Sequence, residues 1–218
     1  MPPRVKICCI RSRTEAALAV RYGADALGLV SAMPSGPGVI SEALARAIAA
    51  RVPPTVSAFL LTSQLDAARI IAQQRAIGPN TLQLVDRVPP RTYQALRAAL
   101  PGIALVQVIH VQDAAAIDEA RRVAPAVDAL LLDSGNPHLA VKVLGGTGCT
   151  HDWTISRRIV ELVDTPVFLA GGLRPENVQA AIAAVRPFGV DVCSGVRTND
   201  LLDERKLAAF FAEIHGVP

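Results

Sequence analysis

Short apolar runs alternate along the whole chain with longer stretches in which apolar positions recur every three to four residues. The short runs are rich in β-branched and aliphatic residues and predict buried strands, whereas the longer period is typical of amphipathic helices. Eight strands are predicted, at residues 5–10, 24–30, 55–61, 81–85, 104–109, 127–133, 166–172 and 189–195. The clearest helical stretches between them are residues 12–23, 41–52, 64–78, 113–123 and 176–185.

This alternation predicts an α/β fold, a single (β/α)₈ TIM barrel that spans residues 1–218. Strands that read as continuous apolar runs favour a parallel sheet buried on both faces. Eight units without a break in composition favour closure into a barrel. An open, Rossmann-like sheet is the structural alternative.

Composition argues against a membrane protein and against a nucleic-acid-binding protein. Hydrophobic residues make up 51% of the 218 residues, yet no apolar run has the roughly 18 to 20 residues of a membrane span. The net charge of +3 is scattered and aromatic residues are only 4%, which argues against a nucleic-acid surface. The N-terminus lacks the features of a signal peptide, so we predict a cytoplasmic monomer or homodimer with no membrane or nucleic-acid partner.

The four cysteines show no metal-ligand spacing. Reduced thiols are therefore expected, with Cys149 and Cys193 interpreted as structural. No metal and no organic cofactor is predicted.

Candidate chemistry lies at the C-terminal ends of the strands, where barrel enzymes carry their working residues. Three titratable side chains stand at the ends of predicted strands one, six and eight: Cys8, Asp133 and Asp191. Small residues follow strands seven and eight, and they let backbone N–H groups approach an anion closely: Gly171, Gly172, Ser194 and Gly195. Together they predict a phosphate site beside an acid–base pair.

Each of these features also has a structural interpretation. A buried Cys such as Cys8 is more often packing than catalysis, Asp133 is also a plausible helix cap, and two glycines after a strand form an ordinary turn. The occurrence of all these residues at strand ends favours an active site more strongly than any one of them does alone. The longest irregular stretch, residues 135–151, has the length of a lid or binding loop.

Several motifs carry a family resemblance: KICCI with Cys8, GADALGLV from Gly23, LLLDS with Asp133, GGTG at 145–148 followed by HDW, LAGGLRPENV from Leu169 and DVCSGV from Asp191. With them the chain resembles phosphoribosylanthranilate isomerase, a (β/α)₈ enzyme of tryptophan biosynthesis. The motifs stand in the family's order and cover nearly the whole chain.

The resemblance implies an Amadori rearrangement of a phosphorylated sugar amine. Asp133 would be the general acid that protonates the furanose ring oxygen, and Cys8 the general base that removes the C2 proton. Gly171, Gly172, Ser194 and Gly195 would bind the phosphate. Further substrate contacts are expected from Lys6, Gln83, Gly146 and Asp191, and from Arg11 and Arg197.

These roles make demands on the pKa values. Burial beside Leu131 and Leu132 has to raise the pKa of Asp133 if it is to donate a proton near neutral pH. Lys6 precedes Cys8 by two residues, so both side chains share one face of the strand and the charge of Lys6 can stabilise a thiolate. A charge at the bottom of the barrel with an unrelated partner is the alternative interpretation of Lys6.

Some positions depart from the family pattern. Gly38 stands where the family has an Arg that binds the anthranilate carboxylate, and we expect Arg11 or Arg197 to replace it. Val85 stands in place of a His, and Cys9 in place of a Gly. Two alternatives therefore stay open: a paralogue acting on another phosphorylated aminosugar, and a phosphate-binding protein that has lost catalysis.

Overall fold

Eight parallel strands close into a barrel in the order of the sequence, which confirms the predicted (β/α)₈ fold. The computed structural model describes residues 2–34, 36–135, 148 and 150–216. The strands are β1 (Arg4–Ile7), β2 (Ala26–Val30), β3 (Ser57–Thr62), β4 (Thr81–Leu84), β5 (Ala104–His110), β6 (Ala129–Asp133), β7 (Val167–Leu169) and β8 (Gly189–Val192). The pairing of β8 with β1 closes the barrel.

Helices follow the strands around the outside of the barrel. They are α1 (Arg13–Arg21), α2 (Glu42–Ala49), α3 (Ala67–Ile77), α4 (Pro90–Ala99), α5 (Ala115–Val123), α6 (Trp153–Leu162), α7 (Pro175–Val185) and α8 (Glu204–His215). Ser12, Ser41 and Asp66 cap α1, α2 and α3 by accepting a hydrogen bond from a backbone N–H in the first turn. None of the helices in the described part of the chain has the length and apolar character of a membrane span.

Four strands end earlier than the apolar runs predict: β4 by one residue, and β1, β7 and β8 by three residues each. The backbone that follows β1 and β7 explains why those two stop. Cys9 has a φ of 62°, so β1 stops at Ile7. Gly171 and Gly172 have φ angles of 83° and 62°, which turn the chain away after β7. After β8 a short 3₁₀ turn, Ser194–Val196, leads into a small antiparallel hairpin of β9 (Arg197–Thr198) and β10 (Leu201–Leu202).

Alternate residues of each strand point to two separate cores. Along β6, Leu130 and Leu132 pack with the helices, whereas Ala129 and Leu131 belong to the cluster inside the barrel. Both faces are therefore buried, which is why the strands read as continuous apolar runs. The same period of two residues directs Asp133 towards the barrel interior at its C-terminal end.

Candidate active site

A cavity opens at the C-terminal ends of the strands. Its floor carries the polar side chains of Cys8, Gln83, Asp133 and Asp191. The small residues Gly148, Gly171, Gly172 and Ser194, here called the glycine wall, also line the cavity. Its apolar lining consists of Cys9, Val30, Met33, Pro37 and Leu61. The structure thus brings together most of the residues that the sequence singles out.

Cys8 lies at the end of β1, where its side chain is 5% exposed. Gly28 on the neighbouring strand makes room for it, since a Cβ at that position would lie 2.7 Å from the Cys8 Sγ and 3.2 Å from the Lys6 Nζ. The hydrogen bond from the Cys9 thiol and the charge of Lys6 lower the pKa of Cys8, against the opposing effect of burial. This environment favours a thiolate.

Lys6 is fully buried and forms an ion pair with Asp191, whose Oδ1 lies 2.8 Å from the Lys6 Nζ. The two residues are direct neighbours in the register of β1 and β8. Burial raises the pKa of Asp191, and the adjacent ammonium opposes that rise. Lys6 stays protonated because the charges of Asp191 and Cys8 outweigh its own burial. Lys6 therefore supplies a fixed positive charge beneath the cavity, shared between Asp191 and Cys8.

Asp133 ends β6 and lines the same cavity as Cys8. Its Oδ1 accepts a hydrogen bond of 2.7 Å from the backbone N–H of Ser134. Burial raises the pKa of Asp133, and the negative charge of Asp191 adds to the effect. The carboxyl thus has the raised pKa that a general acid requires.

The glycine wall has the character expected of an anion site. Gly171 and Gly172 adopt positive φ, and Gly148, with a φ of 70°, lies next to the Ser194 hydroxyl. Gly195 does not line the cavity. A Cβ there would lie 1.9 Å from the Leu173 carbonyl oxygen, so this glycine lets the loops after β7 and β8 pack against each other.

Gln83 of β4 faces the cavity while only 3% exposed. Its Oε1 is buried and accepts no hydrogen bond from the described residues. A buried carbonyl oxygen of this kind is costly unless a ligand or water donates to it. Gln83 is therefore well placed to accept a hydrogen bond from a substrate hydroxyl or amine.

The structure places both predicted arginines, Arg11 and Arg197, outside the lining of this cavity, and Arg197 lines a second cavity that adjoins it. Arg197 is buried and pairs with Glu15 at 3.1 Å, while its Nη2 donates to the Cys9 carbonyl at 2.6 Å. Arg11 reaches the backbone carbonyl of Asp200 instead. The remaining predicted contact, Gly146, lies outside the described residues, as does most of the expected lid.

Sequence reasoning did not single out two residues that shape this site. Gly28 gives Cys8 and Lys6 their space, and an isolated Gly within a strand run is a signal for such close approach. Cys193, interpreted from the sequence as structural, lines the cavity and lies 2.6 Å from Cys9, sulfur to sulfur. That contact joins two distant segments and leaves no trace in local sequence.

Fold and cavity together define a (β/α)₈ barrel protein with a thiol, a carboxyl and a glycine-lined wall at the C-terminal ends of its strands. The family model for N-(5'-phosphoribosyl)anthranilate isomerase matches residues 5–213, and the chain belongs to this family.

Individual relatives agree with that assignment. The N-(5'-phosphoribosyl)anthranilate isomerase of Methanocella arvoryzae is 36% identical over 210 residues, which cover 96% of each chain. The crystal structure of the Thermotoga maritima phosphoribosyl anthranilate isomerase matches with a TM-score of 0.84 and 30% identity, covering 99% of this chain and 100% of the other. A phosphoribosyl anthranilate isomerase in complex with reduced 1-(o-carboxyphenylamino)-1-deoxyribulose 5-phosphate has a TM-score of 0.81 and 28% identity, with the same coverage.

Proposed function

We propose that this protein catalyses the Amadori isomerisation of N-(5'-phosphoribosyl)anthranilate to the 1-deoxyribulose 5-phosphate derivative, a step of tryptophan biosynthesis. The observation that carries the proposal is that Cys8, which follows β1, and Asp133, which ends β6, line one cavity. The pKa of the thiol is lowered and that of the carboxyl is raised. These are the directions that a base and an acid require.

In the proposed reaction the Asp133 carboxyl donates its proton to the furanose ring oxygen. The bond from C1 to the ring oxygen breaks as the amine nitrogen supplies its electron pair, which produces an open-chain Schiff base. The Cys8 thiolate then removes the C2 proton, and the resulting enolamine tautomerises to the ketone. Lys6 supports this step because its charge stabilises the thiolate before the proton moves.

Phosphate binding is assigned to the wall of Gly171, Gly172 and Ser194. Positive φ at the two glycines is a backbone geometry that can present N–H groups to an anion. The Ser194 hydroxyl lies on the same wall and can donate one more hydrogen bond. Anchoring the phosphate there holds the sugar across the floor between Cys8 and Asp133.

The experiment follows conversion of freshly prepared phosphoribosylanthranilate by the loss of anthranilate fluorescence. We expect turnover by the purified protein and its loss in both Asp133→Asn and Cys8→Ser. Asp118→Asn, the same change at an exposed position on α5, is the matched control and should retain activity. Full activity in either active-site variant would contradict the assigned roles, and ligand-induced stabilisation without turnover would indicate a binding protein.

A second candidate concerns the aglycone. The described part of the cavity lining contains no Lys or Arg side chain, and the side with Met33, Pro37 and Leu61 is apolar. A carboxylate buried there without a cation is costly, so an aminosugar phosphate with an uncharged aglycone fits this side better. The kcat/KM values for phosphoribosyl derivatives of anthranilate and of aniline separate the two. A higher value for aniline supports the second candidate, and a higher value for anthranilate rejects it.

A further inference from the structure

Three thiols form a continuous row at the mouth of the barrel. Cys8 and Cys9 follow β1, and Cys193 follows β8, 184 residues away in the chain. The Cys193 and Cys9 sulfurs lie only 2.6 Å apart, and Cys9 directly follows Cys8 in the chain. Cys193 is partly exposed and lies in the lining of two adjoining cavities, so a small oxidant can reach it.

The backbone around Cys9 holds its thiol in this position. Its φ of 62° is uncommon for a residue with a side chain and costs about 1 to 2 kcal/mol. On one side the Arg197 guanidinium donates to the carbonyl oxygens of Cys9 and Cys8, at 2.6 and 3.2 Å. On the other side Gly38 packs so closely that a Cβ there would lie 3.2 Å from the Cys9 Sγ.

We propose that Cys9 and Cys193 are an oxidisable pair, which a peroxide closes into a reversible disulfide that lowers the activity of the neighbouring Cys8. The disulfide itself follows from the position of the two thiols. Its effect on activity rests on the proposed isomerase function, in which Cys8 is the base.

The oxidation is a two-electron step with peroxide as the oxidant. The Cys193 sulfur attacks one peroxide oxygen, an S–O bond forms as the O–O bond breaks, and the leaving hydroxide takes the Cys193 proton as water. The Cys9 sulfur then attacks the sulfenic sulfur of Cys193. The S–S bond forms as the S–O bond breaks, and the released hydroxide takes the Cys9 proton. Two thiols are oxidised, one peroxide is reduced to two waters, and a dithiol reverses the change.

Closing the disulfide removes the thiol proton of Cys9, the direct chain neighbour of Cys8, and with it the hydrogen bond that Cys9 can offer to the Cys8 sulfur. That hydrogen bond is the largest influence lowering the pKa of Cys8, so its loss raises the pKa and reduces the thiolate fraction near neutral pH. Activity then falls by about ten-fold for each unit by which the pKa rises. The pair thus acts on the base without occupying the cavity floor.

The first test maps disulfides by mass spectrometry after treatment of the full chain with hydrogen peroxide. We expect a link between Cys9 and Cys193 in the wild type. The link should also form in Cys8→Ser, which shows that Cys9 and not its neighbour Cys8 is the linked residue. It should be absent from Cys193→Ser and Cys9→Gly. Glycine is the matched replacement because it adopts the φ of residue 9 without strain. Failure of the link to form, or linkage of Cys193 to Cys8 or Cys149, would overturn the proposal.

The second test compares oxidised with reduced protein as a ratio of kcat/KM within each variant, so that differences in basal activity cancel. In the wild type we expect a lower value after oxidation, a shift of the acid limb of the pH profile to higher pH, and recovery with dithiothreitol. In Cys193→Ser any dithiothreitol-reversible loss comes from Cys8 itself, so the acid limb of the remaining activity should stay in place. An unchanged ratio in linked wild-type protein would refute the effect on Cys8, whereas inactivity of the reduced protein would refute the proposed function and leave the disulfide mapping intact.

Discussion

Cys9 and Gly38 share one volume at the mouth of the barrel. A methyl group on Gly38 would lie 2.5 Å from the Cys9 Cβ and 2.9 Å from its Cα, far closer than non-bonded atoms approach. The family resemblance implies a departure at both positions, with a side chain gained at residue 9 and one lost at residue 38. The two departures are therefore one steric exchange.

This exchange predicts strong coupling between the two positions. Gly38→Ala should reduce the free energy of unfolding by about 1 to 2 kcal/mol for its φ of 81° and by a further 1 to 3 kcal/mol or so for the clash. Chemical denaturation of Gly38→Ala in the wild-type and Cys9→Gly backgrounds should show that the part of the clash made by the Cys9 side chain disappears, whereas the cost of the positive φ and of the 2.9 Å approach to the residue 9 Cα remains. Gly102→Ala is the control, since Gly102 has a φ of 83° with nothing within 4 Å of its Cβ position. Equal costs for Gly38→Ala in both backgrounds would contradict the exchange.

The acid and the base predict a bell-shaped dependence of kcat/KM on pH. Activity should rise as Cys8 loses its proton and fall as Asp133 loses its own, because the reaction requires the thiolate and the protonated carboxyl. The charge of Asp191 raises the pKa of both groups. In Asp191→Asn both limbs should therefore move to lower pH. Limbs that stay in place or move in opposite directions would be inconsistent with this electrostatic arrangement.

Removal of one partner of the buried ion pair between Lys6 and Asp191 should cause a large loss of stability. Lys6→Met leaves Asp191 buried without its ammonium partner, which should reduce the free energy of unfolding by about 3 to 5 kcal/mol. The double variant Lys6→Met with Asp191→Asn should be more stable than Lys6→Met alone, since no charge is then left unpaired. Denaturant unfolding of the single and double variants measures this coupling. A double variant that shows the sum of the two single losses would exclude it.

Much of the fold could be predicted from the sequence because a parallel barrel combines only two patterns, that of buried strands and that of amphipathic helices. Strands buried on both faces produce apolar runs, and the capped helices between them carry their own signals at Ser12, Ser41 and Asp66. The residue at which β1 ends could not be predicted in the same way. The turn after Ile7 depends on a positive φ at Cys9, and a Cys there gives no local sign of it.

The candidate site combines contacts set by local strand geometry with contacts set by the tertiary fold. Lys6 and Cys8 share a face because side chains alternate along a strand, so their proximity could be anticipated. The pairing of Lys6 with Asp191 depends on the register of β1 against β8, and the contact of Cys9 with Cys193 on two loops far apart in the chain. The position of Arg197 outside the cavity lining could not be predicted, because the charge of a residue does not reveal which way its side chain points.

Arg197 and Glu15 instead tie together the segments around the catalytic strand end. Glu15 accepts hydrogen bonds from the guanidinium at 3.1 Å, from the Arg11 backbone N–H at 2.9 Å and from the Leu202 backbone N–H at 3.0 Å. Burial alone would raise the pKa of Glu15, but these donors outweigh it and lower the pKa. The carboxylate therefore stabilises the fold above its unfolded pKa of about 4.3, and this contribution is lost as the pH falls through the lower folded value.

Removal of this carboxylate predicts a pH-dependent loss of stability. Glu15→Gln should reduce the free energy of unfolding by about 3 to 5 kcal/mol near neutral pH, since it leaves the buried Arg197 without its counter-ion. The difference from wild type should shrink as the pH falls below about 4.3, because Glu15 of the unfolded chain then takes up a proton, and it should be lost once the pH passes the lower pKa of the folded carboxylate. Glu204→Gln, which breaks an exposed pair with Arg21, is the control and should cost at most about 1 kcal/mol. Urea unfolding across this pH range measures both variants, and a Glu15→Gln difference that is independent of pH would show that the pair does not stabilise the fold through its charge.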